Sequence, residues 1–435
     1  MKPMRYMEYY SRIADEHLRR RLGAMGAVLI EGPKWCGKTT TAEQQAGSVI
    51  RLQDPDKRTE YLSTAASTPS FLLDGATPRL IDEWQDAPVL WDAVRVMVDK
   101  RQAAGQFILT GSNSVDERQI HHSGTGRISR MEMLPMSLWE SKESNGSVSL
   151  KDLFDHPSAP VAARSALSVS DLIFAACRGG WPSAVVARKR QDALMVARDY
   201  ISGLCRRDIS SVDGNSRNPA LTRQILKSYA RNISTLAKTT LMLQDVVASG
   251  EIECSRPTFD DYVSALERLF VIQNLSAWCP AIRSKTNMRS GLKRAFCDPS
   301  LAVALLGLTP EAMQTQFKTF GFIFEQLCIR DLKVYTADMY STVSYYNDRY
   351  GLEADVVLHL DDGRYALIEC KLGSAEIEMG ANHLLKLQHL IREHNRGESQ
   401  VPIREPDLLM ILTGGEYAYR RQDGVYVIPI GCLKD

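Results

Sequence analysis

No stretch of this 435-residue chain approaches the run of about 20 apolar residues that crosses a bilayer, so no membrane partner is expected. Paired cysteines are also missing. Nine cysteines lie singly between Cys36 and Cys432, with no CxxC, which removes zinc-ribbon and dithiol redox chemistry and suggests reduced thiols. Charge of one sign is lacking too. Fifty-three Lys and Arg stand against 52 Asp and Glu, a net charge of +1. That total neither announces nor forbids a polyanionic partner, because a basic groove can sit inside a balanced sum. The first 21 residues carry charges throughout and lack the apolar core of a signal peptide. A cytoplasmic location is therefore expected. Tyr9, Ile13, Leu18 and Leu22 instead fall roughly on one helical stripe.

What is present suits large cores: 44% apolar and 24% charged residues, in a length that fits about two to four domains. Ala27-Val28-Leu29-Ile30 reads as a buried parallel strand. It leads into Gly32-Pro33-Lys34-Trp35-Cys36-Gly37-Lys38-Thr39, which fits GxxxxGK[ST] at every fixed position, and Thr40 opens the helix-like stretch behind it. The glycines turn backbone N–H groups towards phosphates, Lys38 reaches the β- and γ-phosphates, and the Thr39 hydroxyl can bind Mg2+. ATP with Mg2+ is the expected ligand of residues 32–40.

Two further strands follow with polar ends. Arg79-Leu80-Ile81 runs into Asp82 and Glu83. Asp82 is the candidate magnesium ligand and Glu83 the candidate to orient or deprotonate the attacking water. Acids also end strands for no chemical reason, and the preceding P-loop gives these two their meaning. Phe107-Ile108-Leu109-Thr110-Gly111-Ser112 ends at Asn113. In a parallel sheet, ligands lie at the carboxyl ends of strands, so Asn113 is a candidate γ-phosphate sensor, or a simple turn cap. Arg127 and Arg130 are candidates for an arginine inserted into a neighbouring subunit's site, with Arg127 preferred for its Gly124-Thr125-Gly126 lead-in. The order GPKWCGKTT, RLIDEWQDAP, FILTGSNS, GTGRISRMEMLPMSLWE resembles a bacterial family of AAA-type P-loop ATPases with a C-terminal domain of uncharacterised role. The resemblance implies an ATPase core, self-association, and the roles given to Lys38, Asp82, Glu83, Asn113 and Arg127.

Residues 142–170 are rich in Ser, Ala and Pro and read as a connection. Arg178-Gly179-Gly180-Trp181-Pro182 is similar to a marker of the same family and receives no chemistry. From Leu194 to about Leu306 the periodicity is mostly helical. Segments at 239–248 and 260–269, then Phe270-Val271-Ile272, suggest a winged helix. The acidic start of its second helix favours a structural connector over a DNA reader. Arg283, Lys285, Arg289, Lys293 and Arg294 form a more basic stretch suited to a phosphate backbone or to solvent.

The C-terminal part holds a second constellation. Residues 351–358 and 365–371 read as two strands about an Asp361-Asp362-Gly363 turn. Opposed pairs then sum to 724, which sets Asp355 against Glu369 and Glu353 against Lys371. Two such carboxylates repel unless a cation intervenes, and a second Mg2+ or Mn2+ held by Asp355 and Glu369, with Lys371 alongside, is the natural candidate. The spacing D-x13-E-x-K resembles the core of the PD-(D/E)xK nuclease superfamily, and Glu325 on a preceding helix matches its first acid. That resemblance implies metal-dependent phosphodiester cleavage with Glu325, Asp355, Glu369 and Lys371 as catalytic residues. A cross-strand Glu353–Lys371 ion pair on an inert face is the competing reading.

The sequence thus predicts an α/β chain in three parts. These are a P-loop NTPase domain over 1–142, a helical region with a winged helix over 170–307, and a restriction-endonuclease-like α/β domain over 310–435. The expected function is ATP hydrolysis coupled to action on DNA, in a homo-oligomer. The alternative is an ATP-controlled oligomeric switch whose last domain docks a protein and cleaves nothing.

Overall fold

The computed structural model describes residues 9–112, 122–248, 253–279, 291–348, 351–396 and 402–435. Spatially they group into two compact units. One joins residues 1–135 with 203–218 and 261–271, and the other joins 136–202, 219–260 and 272–435.

The first unit is built on five strands: β1 (Ala27–Glu31), β2 (Ser48–Arg51), β3 (Arg79–Asp82), β4 (Phe107–Gly111) and β5 (Ile128–Glu132). Their order is β2-β3-β4-β1-β5, and all pair in parallel. Alternate residues of each strand enter opposite cores. Ala27, Leu29, Ile81, Phe107 and Leu109 meet Leu90, Trp91 and Val94 of helix Val89–Arg101. Val28, Ile30, Leu80 and Ile108 meet Leu18 and Leu22 of helix Ile13–Ala24. Burial on both faces is why these strands are continuous apolar runs. The register aligns Ile30 and Asp82 with Thr110, so the carboxyl ends of β1, β3 and β4 converge.

The second unit carries β6 (Val148–Ser149), β7 (Ala162–Arg164), β8 (Thr342–Asn347), β9 (Glu353–His359), β10 (Tyr365–Lys371), β11 (Leu408–Thr413), β12 (Tyr417–Arg420), β13 (Tyr426–Pro429) and β14 (Leu433–Lys434). Seven form one mixed sheet, β7-β12-β13-β11-β10-β9-β8, and β14 pairs with β6. The segment expected to be a mere connection is thus structured. Ser149 caps helix Leu150–Asp155, and β7 is the short edge strand beside β12.

Helix Ile377–Arg396 links β10 to the parallel β11 and buries Ala381, Leu384 and Leu387 against Tyr365 and Leu367. On the opposite face, Cys370 of β10 meets Cys328 of helix Phe317–Tyr335. That helix buries an ionic network. Arg330 pairs with Asp298 at 3.0 Å and Asp331 at 2.7 Å, and Asp298 also accepts the Gly180 N–H at 2.9 Å. Gly180 is required there, because a Cβ would lie 2.1 Å from the Met136 carbonyl oxygen.

The helical expectation for the middle of the chain is met by Pro219–Arg231, Thr239–Val247 and Arg256–Arg268. The strands of a wing do not form among the described residues. Two isolated antiparallel bridges, Ile272 with Phe296 and Leu275 with Lys293, stand in their place. Arg283, Lys285 and Arg289 lie outside the described residues.

Candidate functional site

The loop after β1 has the conformation its glycines allow. Gly32, Trp35 and Gly37 have φ of 148°, 64° and 105°. A Cβ on Gly32 would stand 2.1 Å from the Met133 carbonyl oxygen, so the loop seats directly on backbone. Cys36 anchors it from below: its thiol donates to the Met133 carbonyl, and its own carbonyl accepts from Arg12 at 2.8 Å. Lys38 is buried and donates to the carbonyls of Gly32 and Pro33, each at 2.8 Å. Its ammonium therefore sits inside the loop that the motif assigns to phosphates. Lys34 points the other way, to Asp208 at 2.7 Å in a π-helical turn, Leu204–Asp208. Trp35 and Thr40 are exposed.

Thr39 and Asp82 are brought together, 2.7 Å between hydroxyl and carboxylate. Thr110 donates to the same Asp82 oxygen at 2.6 Å. A hydroxyl and a carboxylate beside the P-loop lysine are hard oxygen donors that fit a magnesium ion. Glu83 follows in a left-handed conformation, φ 54° and ψ 48°. A non-glycine residue held there costs about 1–3 kcal/mol, a strain common at functional sites. Its carboxylate accepts hydrogen bonds from Gln85 and, at 3.2 Å, from Ser112. Thr110, Ser112 and Gln85 were not singled out by sequence, although two of them are the small polar residues that close β4. Asn113 lies outside the described residues.

Arg127 sits at the far end of the sheet. Its carbonyl accepts from Ala27, the first residue of β1, and its guanidinium pairs with Asp99 at 2.8 Å. The five-residue strand β1 separates it from the P-loop by roughly 16 Å. It does not reach the phosphate site of its own chain. Arg130 lies within β5, 3.8 Å from Glu31.

The C-terminal constellation is also assembled. β9 and β10 pair as counted, from His359–Tyr365 to Val356–Ile368. At Asp355 the pattern changes. Ser344 of β8 lies beside Val357, but Tyr346 lies beside Ala354, so β9 carries one extra residue at Asp355–Val356. This bulge turns both Ala354 and Val357 to the same core, which strict alternation forbids. Asp355 instead accepts the Cys370 N–H at 2.9 Å. Its carboxylate lies 3.7 Å from Lys293 and 3.5 Å from Lys371. Lys293 is 2.6 Å from Glu325, and Lys371 is 2.5 Å from Glu369. Acids and ammoniums alternate in one row: Glu325, Lys293, Asp355, Lys371, Glu369.

Burial dominates the titration of the outer acids. It lifts Glu325 to about 7 and Glu369, with help from Asp355, to about 8. Burial also opposes ionisation of Asp355, but Lys293 and Lys371 outweigh it and hold that carboxyl below its usual range. The same pairing raises both lysines above the ordinary range against the opposing effect of burial.

The row does not fit the expected second metal ion. Lys371 occupies the gap between Asp355 and Glu369, and Lys293 the gap between Glu325 and Asp355. Among the described residues no three His, Cys, Asp or Glu side chains converge as metal ligands. Glu353 hydrogen-bonds to Asn347 across the β8–β9 pair. In the sequence Lys293 shows only as part of a basic stretch.

Residues 25–142 match the family model described as an AAA domain. Residues 169–312 and 320–433 match two models described as domains of unknown function, DUF8612 and DUF4143. Proteins of Mycobacterium tuberculosis and Mycobacterium bovis, both described as uncharacterized, are each 22% identical over 423 residues, covering 96% of this chain and 83% of theirs. The Walker-type ATPase of Pyrococcus abyssi aligns at 13% identity and a TM-score of 0.41, over 68% of this chain and 96% of that one. The fold, the loop and the AAA match define residues 25–142 as a P-loop ATPase domain, and support ATP binding and hydrolysis there. No helix among the described residues is long and apolar enough to cross a membrane.

Proposed function

We propose that this protein is a magnesium-dependent ATPase that acts on DNA as a homo-oligomer, with its nuclease-like C-terminal domain as the DNA-engaging part. The ATPase reading is carried by one observation: Thr39, next to Lys38 in the helix after the P-loop, and Thr110 of β4 both donate to one oxygen of Asp82 at the end of β3. A magnesium ion held by Thr39 and Asp82 would neutralise charge on the phosphate oxygens. Lys38 exchanges the Gly32 and Pro33 carbonyls for phosphate. Glu83, steadied by Gln85 and Ser112, orients the attacking water and takes its proton. Arg127, remote from its own P-loop, would serve a neighbouring copy.

The DNA reading is supported by Lys293, Lys318 and Lys371 in the lining of a cavity of about 840 Å³, which the largely buried Glu325 and Asp355 also border. The filled gaps between the acids favour a second reading, in which ATP controls an oligomeric switch and the C-terminal domain docks a protein without cutting. The two are separated by measuring ATP turnover with magnesium, with and without plasmid and single-stranded DNA, and running the same reactions on a gel. DNA-stimulated turnover supports the first reading. Turnover indifferent to DNA, with no DNA retained at low salt, removes it.

A further inference from the structure

Lys293 lies 62 residues before Asp355 in sequence and comes from a different part of the chain from the hairpin that carries Asp355 and Glu369. Its position is fixed on both sides of its backbone. Its N–H and carbonyl both pair with Leu275, at 3.0 and 2.9 Å, and the next residue, Arg294, is held by Thr235 at 2.9 Å. The side chain is 9% exposed. It passes the Tyr345 ring at 5.7 Å and ends between two carboxylates, donating to Glu325 at 2.6 Å and to the Asp355 carbonyl at 3.1 Å. Those are the surroundings of a bound cation: two carboxylates and a backbone carbonyl, all oxygen.

We propose that Lys293 is an internal cation that takes the place of a divalent metal ion between Glu325 and Asp355 and excludes such an ion from the C-terminal domain. Two acids 10% exposed, with burial opposing their ionisation, need a positive neighbour. The ammonium supplies it from within the chain and occupies the volume a metal needs. The acids border the cavity, so access is not the obstacle. Removing the ammonium while keeping the side chain's bulk leaves two carboxylates and a carbonyl aimed at one vacated point. A hard divalent cation is the ligand that geometry then selects.

The inference deepens the reading of the C-terminal domain given above, and the two fail separately. The probe is Mn2+ alone, titrated without nucleotide into the full chain and followed by the loss of the free-ion paramagnetic resonance signal. Wild-type protein is expected to bind no Mn2+ at this site. Lys293→Met is expected to take up one ion that wild type does not, and Lys293→Met with Asp355→Asn to lose it again. Lys293→Arg keeps the charge and is expected to stay closed. A wild-type chain that takes up one Mn2+, with the uptake lost in Asp355→Asn, overturns the proposal, and that arm needs no variant at Lys293 to fold. A Lys293→Met protein with a normal unfolding transition that binds no additional ion overturns it as well. Mn2+ uptake by Lys293→Met in a protein that never engages DNA would remove only the DNA reading.

Discussion

Replacing Gly32 by alanine places a methyl group 2.1 Å from the Met133 carbonyl oxygen. Carbon–oxygen contacts settle at about 3.3–3.6 Å, so the loop and β5's continuation must part by roughly 1 Å. Displacing packed backbone by that much costs about 1–3 kcal/mol. The φ of 148° adds about 1–3 kcal/mol, because only glycine adopts it freely. The sum, about 2–6 kcal/mol, falls on the conformation that turns N–H groups to phosphate. At 1.4 kcal/mol per tenfold, ATP affinity should fall at least about 30-fold. A fluorescent ATP analogue titrated into wild-type and Gly32→Ala protein measures this directly. Gly23→Ala is the control: nothing lies within 4 Å of its added methyl, and in helix Ile13–Ala24 it should leave affinity unchanged. An affinity for Gly32→Ala within threefold of wild type would refute the claim that this loop seats phosphate in the conformation described.

Three further outcomes are expected. Ser112→Ala removes a hydrogen bond that orients Glu83, so turnover at saturating ATP should fall roughly tenfold while ATP affinity holds; an equal loss in both would assign Ser112 to folding. Arg330→Met leaves buried Asp298 and Asp331 without their cation and should cost roughly 3–5 kcal/mol in urea unfolding of the full chain. Glu369 binds its proton more tightly folded than unfolded, with a folded pKa raised to about 8 from 4.5, so its ionisation opposes folding. Stability should therefore decline as pH rises from about 5 to 8, by up to roughly 1.4 kcal/mol per pH unit from this group, and Glu369→Gln should flatten that slope in melting curves taken across the range.

Much of the phosphate site was legible because its chemistry is local. Residues 32–39 carry their own geometry, and Asp82 is delivered to Thr39 by a parallel register that apolar strands enforce. Ser112 and Gln85 were illegible as partners of Glu83, since their role depends on the left-handed turn at Glu83. The hairpin register from His359–Tyr365 to Val356–Ile368 followed from turn length and period-two counting. The bulge at Asp355 did not, because an extra residue in β9 is recorded only in its pairing with β8. Lys293 was the larger omission. A lysine in a basic stretch looks solvated until distant chain brings Glu325 and Asp355 around it. The same blindness hid the use of residues 162–164 as an edge strand of the C-terminal sheet, where three residues carry little strand signal.

ATP hydrolysis at the Lys38–Thr39–Asp82 site is read by steady-state phosphate release with ATP and magnesium. Wild-type protein should turn over, while Lys38→Ala and Asp82→Asn, each with an unfolding transition like wild type, should fall to background, and chelating the magnesium should do the same. Turnover that survives Lys38→Ala would contradict the account.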